Sequence, residues 1–129
     1  MVFHVRAIIE VLGMPEKHIV EVINKVLEKL KTEQGITFEK QDVSKPELVK
    51  EKYYAIFAEV EIKIINFTKL LQFCYDYMPT SIEILDTEKV VMPIREFANG
   101  INDSLIRLHQ YNITVANLTQ RNKELEGKK

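Results

Sequence analysis

The chain has 129 residues, of which 46% are hydrophobic and 29% are charged, a balance that is typical of a globular domain with its own core. The 18 Lys and Arg residues are matched by 19 Asp and Glu residues, so the formal net charge is -1 and we expect no nucleic-acid partner. The single cysteine, Cys74, excludes an intramolecular disulfide and favours a reducing, cytoplasmic location. No apolar run approaches the roughly 18 residues that a membrane span needs, so no membrane partner is expected.

The first part of the chain predicts a strand, a helix and a second strand. Residues 2–12 form a nearly continuous apolar run that ends at Gly13, as in a strand that is covered on both faces. Residues 15–33 carry apolar side chains at steps of three and four, which predicts an amphipathic helix. Residues 36–43 are rich in β-favouring side chains and predict the second strand.

The next part of the chain predicts a strand, a helix and a strand again. Residues 46–51 are interpreted as a helical turn. In residues 53–64 the even-numbered side chains from Tyr54 to Ile64 are apolar and share one face, whereas Glu59, Glu61 and Lys63 share the other. This period of two predicts a strand with one face that is wet toward its end. Asn66 is a suitable N-cap for a second helix, which should end at Met78 because Pro79 follows it. Residues 81–85 predict a fourth strand.

This element order, βαββαβ over residues 1–86, predicts an α+β fold of the ferredoxin-like class. In that arrangement a four-stranded antiparallel sheet carries two helices on one of its faces. We therefore expect a ferredoxin-like domain at residues 1–86 and a separate element at residues 87–129.

The element at residues 87–129 is predicted to be a long helix. With Ile94 at heptad position a, eight of the ten a and d positions from 94 to 125 are apolar, and such a repeat favours a coiled coil. Gly100 lies inside this helix and disfavours it by about 1 kcal/mol relative to Ala. The helix either pairs between chains or folds back over the sheet face that the other helices leave open. We predict an oligomer interface that comprises Ile94, Phe97, Ile101, Leu108, Tyr111, Val115 and Leu118.

Residues that could carry catalysis are few. His4, His18 and His109 have no metal-ligand spacing among themselves, and Cys74 has no nucleophile motif around it, so we expect no metal and no cofactor. Glu59 and Glu61 share one face of a predicted strand, and two carboxylates about 7 Å apart could do acid-base chemistry. Alternating charges on a solvated strand explain the same pattern.

The turn between the first strand and the first helix is the candidate ligand site. Gly13 permits close approach of a backbone or ligand, and the free amides of the helix that follows could receive a small anion. The strand at residues 7–12, Gly13 and the helix after it, within a βαββαβ order, resemble the ligand-sensing regulatory ACT domains. The resemblance covers residues 2–86 and implies a dimer interface at the glycine turn that binds amino acids. We therefore predict ligand-binding residues Gly13, Met14 and His18.

Together these features predict a noncatalytic, self-associating binding or regulatory module, a homodimer or higher homo-oligomer that senses a small carboxylate or amino acid. Two alternatives remain open. One is a structural adaptor that assembles with another protein through its last helix, and the other is an enzyme whose site is assembled around His18 or around Glu59 and Glu61. The abundance of Ile, Glu and Lys without any Trp is typical of proteins from heat-adapted organisms.

Overall fold

The computed structural model describes residues 1–127 and shows an α+β fold, in which three helices accompany an antiparallel sheet of five strands. The strands are β1 (Phe3–Gly13), β2 (Ile36–Val43), β3 (Glu47–Lys50), β4 (Tyr53–Ile64) and β5 (Ser81–Leu85). The helices are α1 (Glu16–Lys31), α2 (Phe67–Tyr77) and the long α3 (Ile94–Gly127). The bounds expected for these elements agree with the structure to within two residues, except at β3.

Strand β1 lies in the middle of the sheet and organises it. It pairs along its whole length with β4, from Phe3 opposite Ile64 to Gly13 opposite Tyr54. On its other side it pairs with β5, and β2 pairs with β4, so the order of strands is β2-β4-β1-β5. A strand that is flanked on both sides should be apolar on its packed face, as β1 is.

The expectation of four strands is wrong because residues 47–50 form β3, and the helical turn predicted there is also wrong. The pairing of β2 with β4 stops where Val43 lies opposite Ala58, so the first residues of β4 would have an unpaired edge. Strand β3 occupies that edge, with Leu48 opposite Tyr54. Its backbone groups satisfy those of β4, which favours a strand over an isolated helical turn.

Helices α1 and α2 cover one face of the sheet and form a single core with it. The odd-numbered residues from Phe3 to Ile9 are buried on this face, whereas the residues between them are only half-buried. The buried side chains that the two helices contribute are Ile19, Ile23, Leu27, Leu30, Leu70, Phe73 and Tyr77.

Helix α3 packs against α2 and does not lie across the open face of the sheet. The ring of Phe97 stacks on the ring of Phe67, with 5.4 Å between centroids, and Phe67 in turn contacts Phe3 at 6.5 Å. Gly100 is the buried residue of α3. A Cβ atom at Gly100 would lie 2.5 Å from Cδ2 of Phe67, so the absence of a side chain lets the two helices approach closely.

We predict that Gly100→Val destabilises the protein. The new side chain would overlap the Phe67 ring, which cannot move freely because Phe3 and Phe97 hold it, and such overpacking typically costs about 1–3 kcal/mol. The matched control is Gly127→Val at the end of the same helix, where a Cβ has no neighbour within 4 Å. Urea unfolding should show a lower free energy of unfolding for the first variant alone. Equal stabilities of the two variants would contradict this packing.

Candidate functional site

The face of α3 that contacts α2 is mixed, with polar residues on one flank and aromatic rings on the other. Besides Gly100, its half-buried residues include Glu96, Asp103 and Arg107. Arg107 forms an ion pair with Asp76 of α2. These residues recur at steps of three and four, so they share one side of the helix. Aromatic rings of the two helices also meet beside them, so α3 is attached to α2 by a glycine contact, an ion pair and aromatic contacts.

The apolar residues of α3 are largely exposed, although the rings of Phe97 and Tyr111 also contact α2. We use the name apolar stripe for the seven predicted interface residues, each of which is 40–81% exposed: Ile94, Phe97, Ile101, Leu108, Tyr111, Val115 and Leu118. At about 100° per residue, the part of the stripe from Ile94 to Leu108 lies roughly 60–120° around the helix axis from Gly100. These residues follow one heptad row of the helix, and each stays at least 40% exposed within the chain.

The second half of α3 projects beyond the α/β unit. The last aromatic contact between α2 and α3 joins Tyr75 to Tyr111 at 6.3 Å, and α2 ends at Tyr77. Residues 112–127, which we call the projecting segment, are all exposed. A helix rises 1.5 Å per residue, so this segment extends about 24 Å into solvent. It contacts nothing that would stabilise it.

The predicted ligand-binding residues are only partly brought together by the fold. Gly13 ends β1, and a Cβ atom there would lie 3.1 Å from Cγ2 of Ile19, so this glycine also allows α1 to pack closely on the strand. Met14 is exposed and lines an open groove. His18 is exposed on the first turn of α1 and is not among the residues that line the groove.

The groove beside Met14 is a shallow cavity of about 520 Å³ with a largely apolar wall. Its lining comprises Met14, Pro15, Leu48, Glu51, Lys52 and Tyr54. Half of these residues belong to β3 or to the turn that follows it. The sequence does not predict that they line a groove, because the interpretation of residues 46–51 as a helical turn does not place them beside Met14.

On the open face of the sheet, one guanidinium holds three carboxylates from two neighbouring strands. Arg6 of β1 forms ion pairs at 3.0 Å with Glu59 and at 3.0 Å with Glu61, both on β4, and at 3.2 Å with Glu83 on β5. Beside this cluster, Nδ1 of His4 lies 2.5 Å from Asp86. We use the name Arg6 cluster for Arg6 and its three glutamates.

The charges of the Arg6 cluster argue against acid-base catalysis by its glutamates. The hydrogen bond from Arg6 lowers the pKa of Glu61, although partial burial opposes the effect, and the same bond raises the pKa of Arg6. A general acid needs a raised carboxyl pKa. Glu61 is therefore ionised near pH 7 and serves as the counter-charge of a guanidinium. This favours the interpretation of Glu59 and Glu61 as charges on a solvated strand over their interpretation as an acid-base pair.

Two further titratable groups lie near the helices. Glu33 accepts hydrogen bonds from Lys69 at 2.9 Å and from Tyr77 at 2.8 Å, and these bonds lower the pKa of its carboxyl. Cys74 is half-buried on α2, and burial raises the pKa of its thiol, as expected of a packing residue and not of a nucleophile. Within residues 1–127, no three side chains of His, Cys, Asp and Glu are grouped so that they could hold a metal ion.

The fold and these surfaces define a small α+β protein with a wet sheet face and a long terminal helix whose apolar stripe is uncovered. The chain belongs to the MJ0538 family, whose model matches residues 4–129. Comparison with curated proteins and with solved structures finds no match. None of the helices within residues 1–127 has an apolar stretch long enough to cross a membrane.

We predict that Arg6→Met destabilises the protein near pH 7 and makes its stability rise in mild acid. In the parent, the folded-state pKa of Glu61 lies below its unperturbed value of 4.5, so its contribution is present above that value and is lost as pH falls through the folded-state pKa. Between pH 7 and 5 this group therefore leaves the stability of the parent unchanged. Without Arg6, Glu61 loses its hydrogen-bond donor and faces two other carboxylates, so its folded-state pKa should rise and the variant should gain stability as pH falls from 7 to about 5.

The measurement is urea unfolding at both pH values, with Lys63→Met as the control. Lys63 is an exposed lysine on the same sheet face, 3.6 Å from Glu39, and removing it leaves the Arg6 cluster intact. A pH dependence of Arg6→Met equal to that of the parent would show that the cluster does not hold these charges together.

Proposed function

We propose that this protein is a noncatalytic, self-associating module in which α3 of one copy pairs with α3 of another. One observation carries the proposal: α3 contacts its own chain through a glycine, an ion pair and the rings of Phe97 and Tyr111, while every residue of the apolar stripe stays at least 40% exposed. An uncovered stripe of this length exposes on the order of several hundred Å² of apolar surface, which monomeric proteins seldom tolerate. A second copy supplies a stripe of the same length and character.

The projecting segment supports the same proposal from a different direction. An isolated helix of about 12–15 residues is marginal in water even when its residues favour helix. Residues 112–119, with the sequence NITVANLT, include Asn, Thr, Ile and Val, which have poor helix propensity. Since nothing in its own chain packs against this segment, a helix there needs a partner, and pairing of two copies provides one.

We further assign the unit formed by residues 1–86 to the ferredoxin-like class, with β3 as an addition at the edge of the sheet. The strand order β2-β4-β1-β5 supports this assignment, as does the packing of α1 and α2 on one face. The wet opposite face, held by the Arg6 cluster, needs no covering layer. The ferredoxin-like unit does not include α3, so this assignment is consistent with pairing of two copies through that helix.

We predict that Leu108→Glu lowers the mass observed in sedimentation equilibrium toward 15.1 kDa, the mass of one chain. Leu108 lies in the middle of the apolar stripe and is 46% exposed, so the change adds a charge to the paired surface without disturbing the core. We expect the dissociation constant of the dimer to rise by at least about 10-fold, because a carboxylate would be buried without a partner.

The matched control is Gln110→Glu. Gln110 is exposed and lies about 160° around the helix from Leu108, so the same charge is added to the opposite side and the mass should not change. A parent protein that remains a monomer at high micromolar concentration would overturn self-association. That result would favour the alternative, an adaptor that binds the helix of a different protein.

A ligand-binding role belongs to the same proposal and uses the groove beside Met14. Its wall is largely apolar and includes Lys52 beside Glu51, so the ligand we propose is a small carboxylate that has an apolar body and pairs with Lys52. The similarity to ACT domains points to the same turn, through Gly13. An amino acid or a related carboxylate that binds here would stabilise the fold.

We predict that a thermal-shift screen of apolar amino acids and small carboxylates finds a compound that stabilises the parent, by about 2.7 kcal/mol at 100 times its dissociation constant. Met14→Glu should abolish the shift, because it places a negative charge in the wall of the groove. Val49→Glu is the control, since Val49 is exposed on β3 but does not line the groove. No shift in a screen that detects millimolar affinity would remove the ligand-binding role.

A further inference from the structure

We infer that the two α3 helices pair in parallel and in register, so that both α/β units lie at the same end of the dimer. The inference rests on the proposed self-association and adds the direction of pairing. Three features of α3 bear on that direction: the polar residue at one core position, the charges beside the core, and the place where the α/β unit is attached.

The polar residue is Asn122, which occupies heptad position a when Ile94 is placed at a. In a parallel pair in register, Asn122 faces Asn122 of the second copy, and the two amides hydrogen-bond across the axis. In an antiparallel pair with the helices fully overlapped, Asn122 is inserted beside Phe97 and Ile101 of the second copy. That arrangement buries an amide among apolar side chains without a partner, which is unfavourable.

The charges that flank the core favour the same direction. In a parallel pair, each g position faces the e position five residues later on the second helix. This rule places Arg121, at g, beside Glu126 of the second copy, at e, which is a favourable opposite-charge pair. In an antiparallel pair g faces g, so Arg121 lies near Gly100 and no acidic residue faces it. Arg107, also at g, is paired with Asp76 of its own chain in either arrangement.

The attachment of the α/β unit leaves room for this arrangement. Ile94, Ile101 and Leu108 lie roughly 80–120° around the axis from the buried side of α3 and are at least 40% exposed. Phe97 and Tyr111 touch α2 but are at least 46% exposed, so they remain accessible to a second α3. A two-fold axis along the pair would place the two α/β units on opposite sides of it.

The functional consequence is a module with two binding units at one end. A parallel pair carries two grooves of the Met14 type on the same end of a rod, whereas an antiparallel pair separates them by the length of the rod. Two linked sites at one end can engage one partner together, which raises apparent affinity through effective concentration.

Disulfide cross-linking of Leu125→Cys in a Cys74→Ala background tests the direction of pairing. Leu125 is exposed at heptad position d near the end of the projecting segment. In a parallel pair the two introduced thiols face each other across the core, within reach of a disulfide. In a fully overlapped antiparallel pair they are about 45 Å apart along the axis. Asn117→Cys in the same background is the control for random collision, because its position on the outer side of the helix keeps it away from the core.

We expect Leu125→Cys to form disulfide-linked dimers at least about 10-fold faster than Asn117→Cys, because a thiol held opposite its partner has a high effective concentration. A mixture of Ile94→Cys and Leu125→Cys chains reports the opposite direction, since only an antiparallel pair brings these two positions together. Sedimentation of the reduced variants is measured first, so that pairing and its direction are tested separately.

Each outcome decides a different point. A dimer in sedimentation with rapid cross-linking of Leu125→Cys supports the parallel pair. A dimer whose cross-links form only between Ile94→Cys and Leu125→Cys overturns the parallel direction and leaves the proposed self-association standing. Reduced chains that sediment as monomers overturn the self-association, and the parallel pair with it.

Discussion

The contact between Gly100 and the ring of Phe67 determines the distance between α2 and α3 and the orientation of α3 about its own axis. Because a glycine stands at that point, α3 can approach α2 closely, with charged residues on one flank of the contact and the ring of Phe97 on the other. A larger side chain would push the helix away or force it to rotate about its axis. The contact therefore orients the apolar stripe outward, and the proposed pairing of two copies depends on that orientation.

The α/β unit does not compete for the apolar stripe. The packed face of its sheet is covered by α1 and α2, and the part of its open face around Arg6 carries the paired charges of the Arg6 cluster. The rest of the open face includes apolar side chains, with Leu12 60% and Phe57 38% exposed. Helix α3 packs against α2 and not on that face.

The sequence predicts most of the elements because their periodicity is strong. The alternation of residues 53–64 and the steps of three and four in residues 15–33 place β4 and α1 correctly. Strand β3 was missed because four residues are too few to show a period, and because its formation depends on the free edge of β4. The lining of the Met14 groove was missed for the same reason.

The orientation of α3 and the Arg6 cluster depend on tertiary structure in a way that sequence reasoning did not reach. Arg6 meets glutamates more than 50 residues away because of strand register, which a single sequence does not specify. The sequence does contain an indication of how α3 packs. Gly100 disfavours the helix energetically, but a glycine inside a long helix also indicates that another element approaches closely there.

Hydrogen–deuterium exchange of the projecting segment, residues 112–127, measured over a series of protein concentrations, tests the central claim most directly. If a second copy covers the apolar stripe, the amides of this segment are protected at high concentration and lose protection on dilution, while β1 and β4 exchange slowly throughout. Fast exchange of the segment at every concentration, or protection that dilution does not change, would contradict pairing between copies.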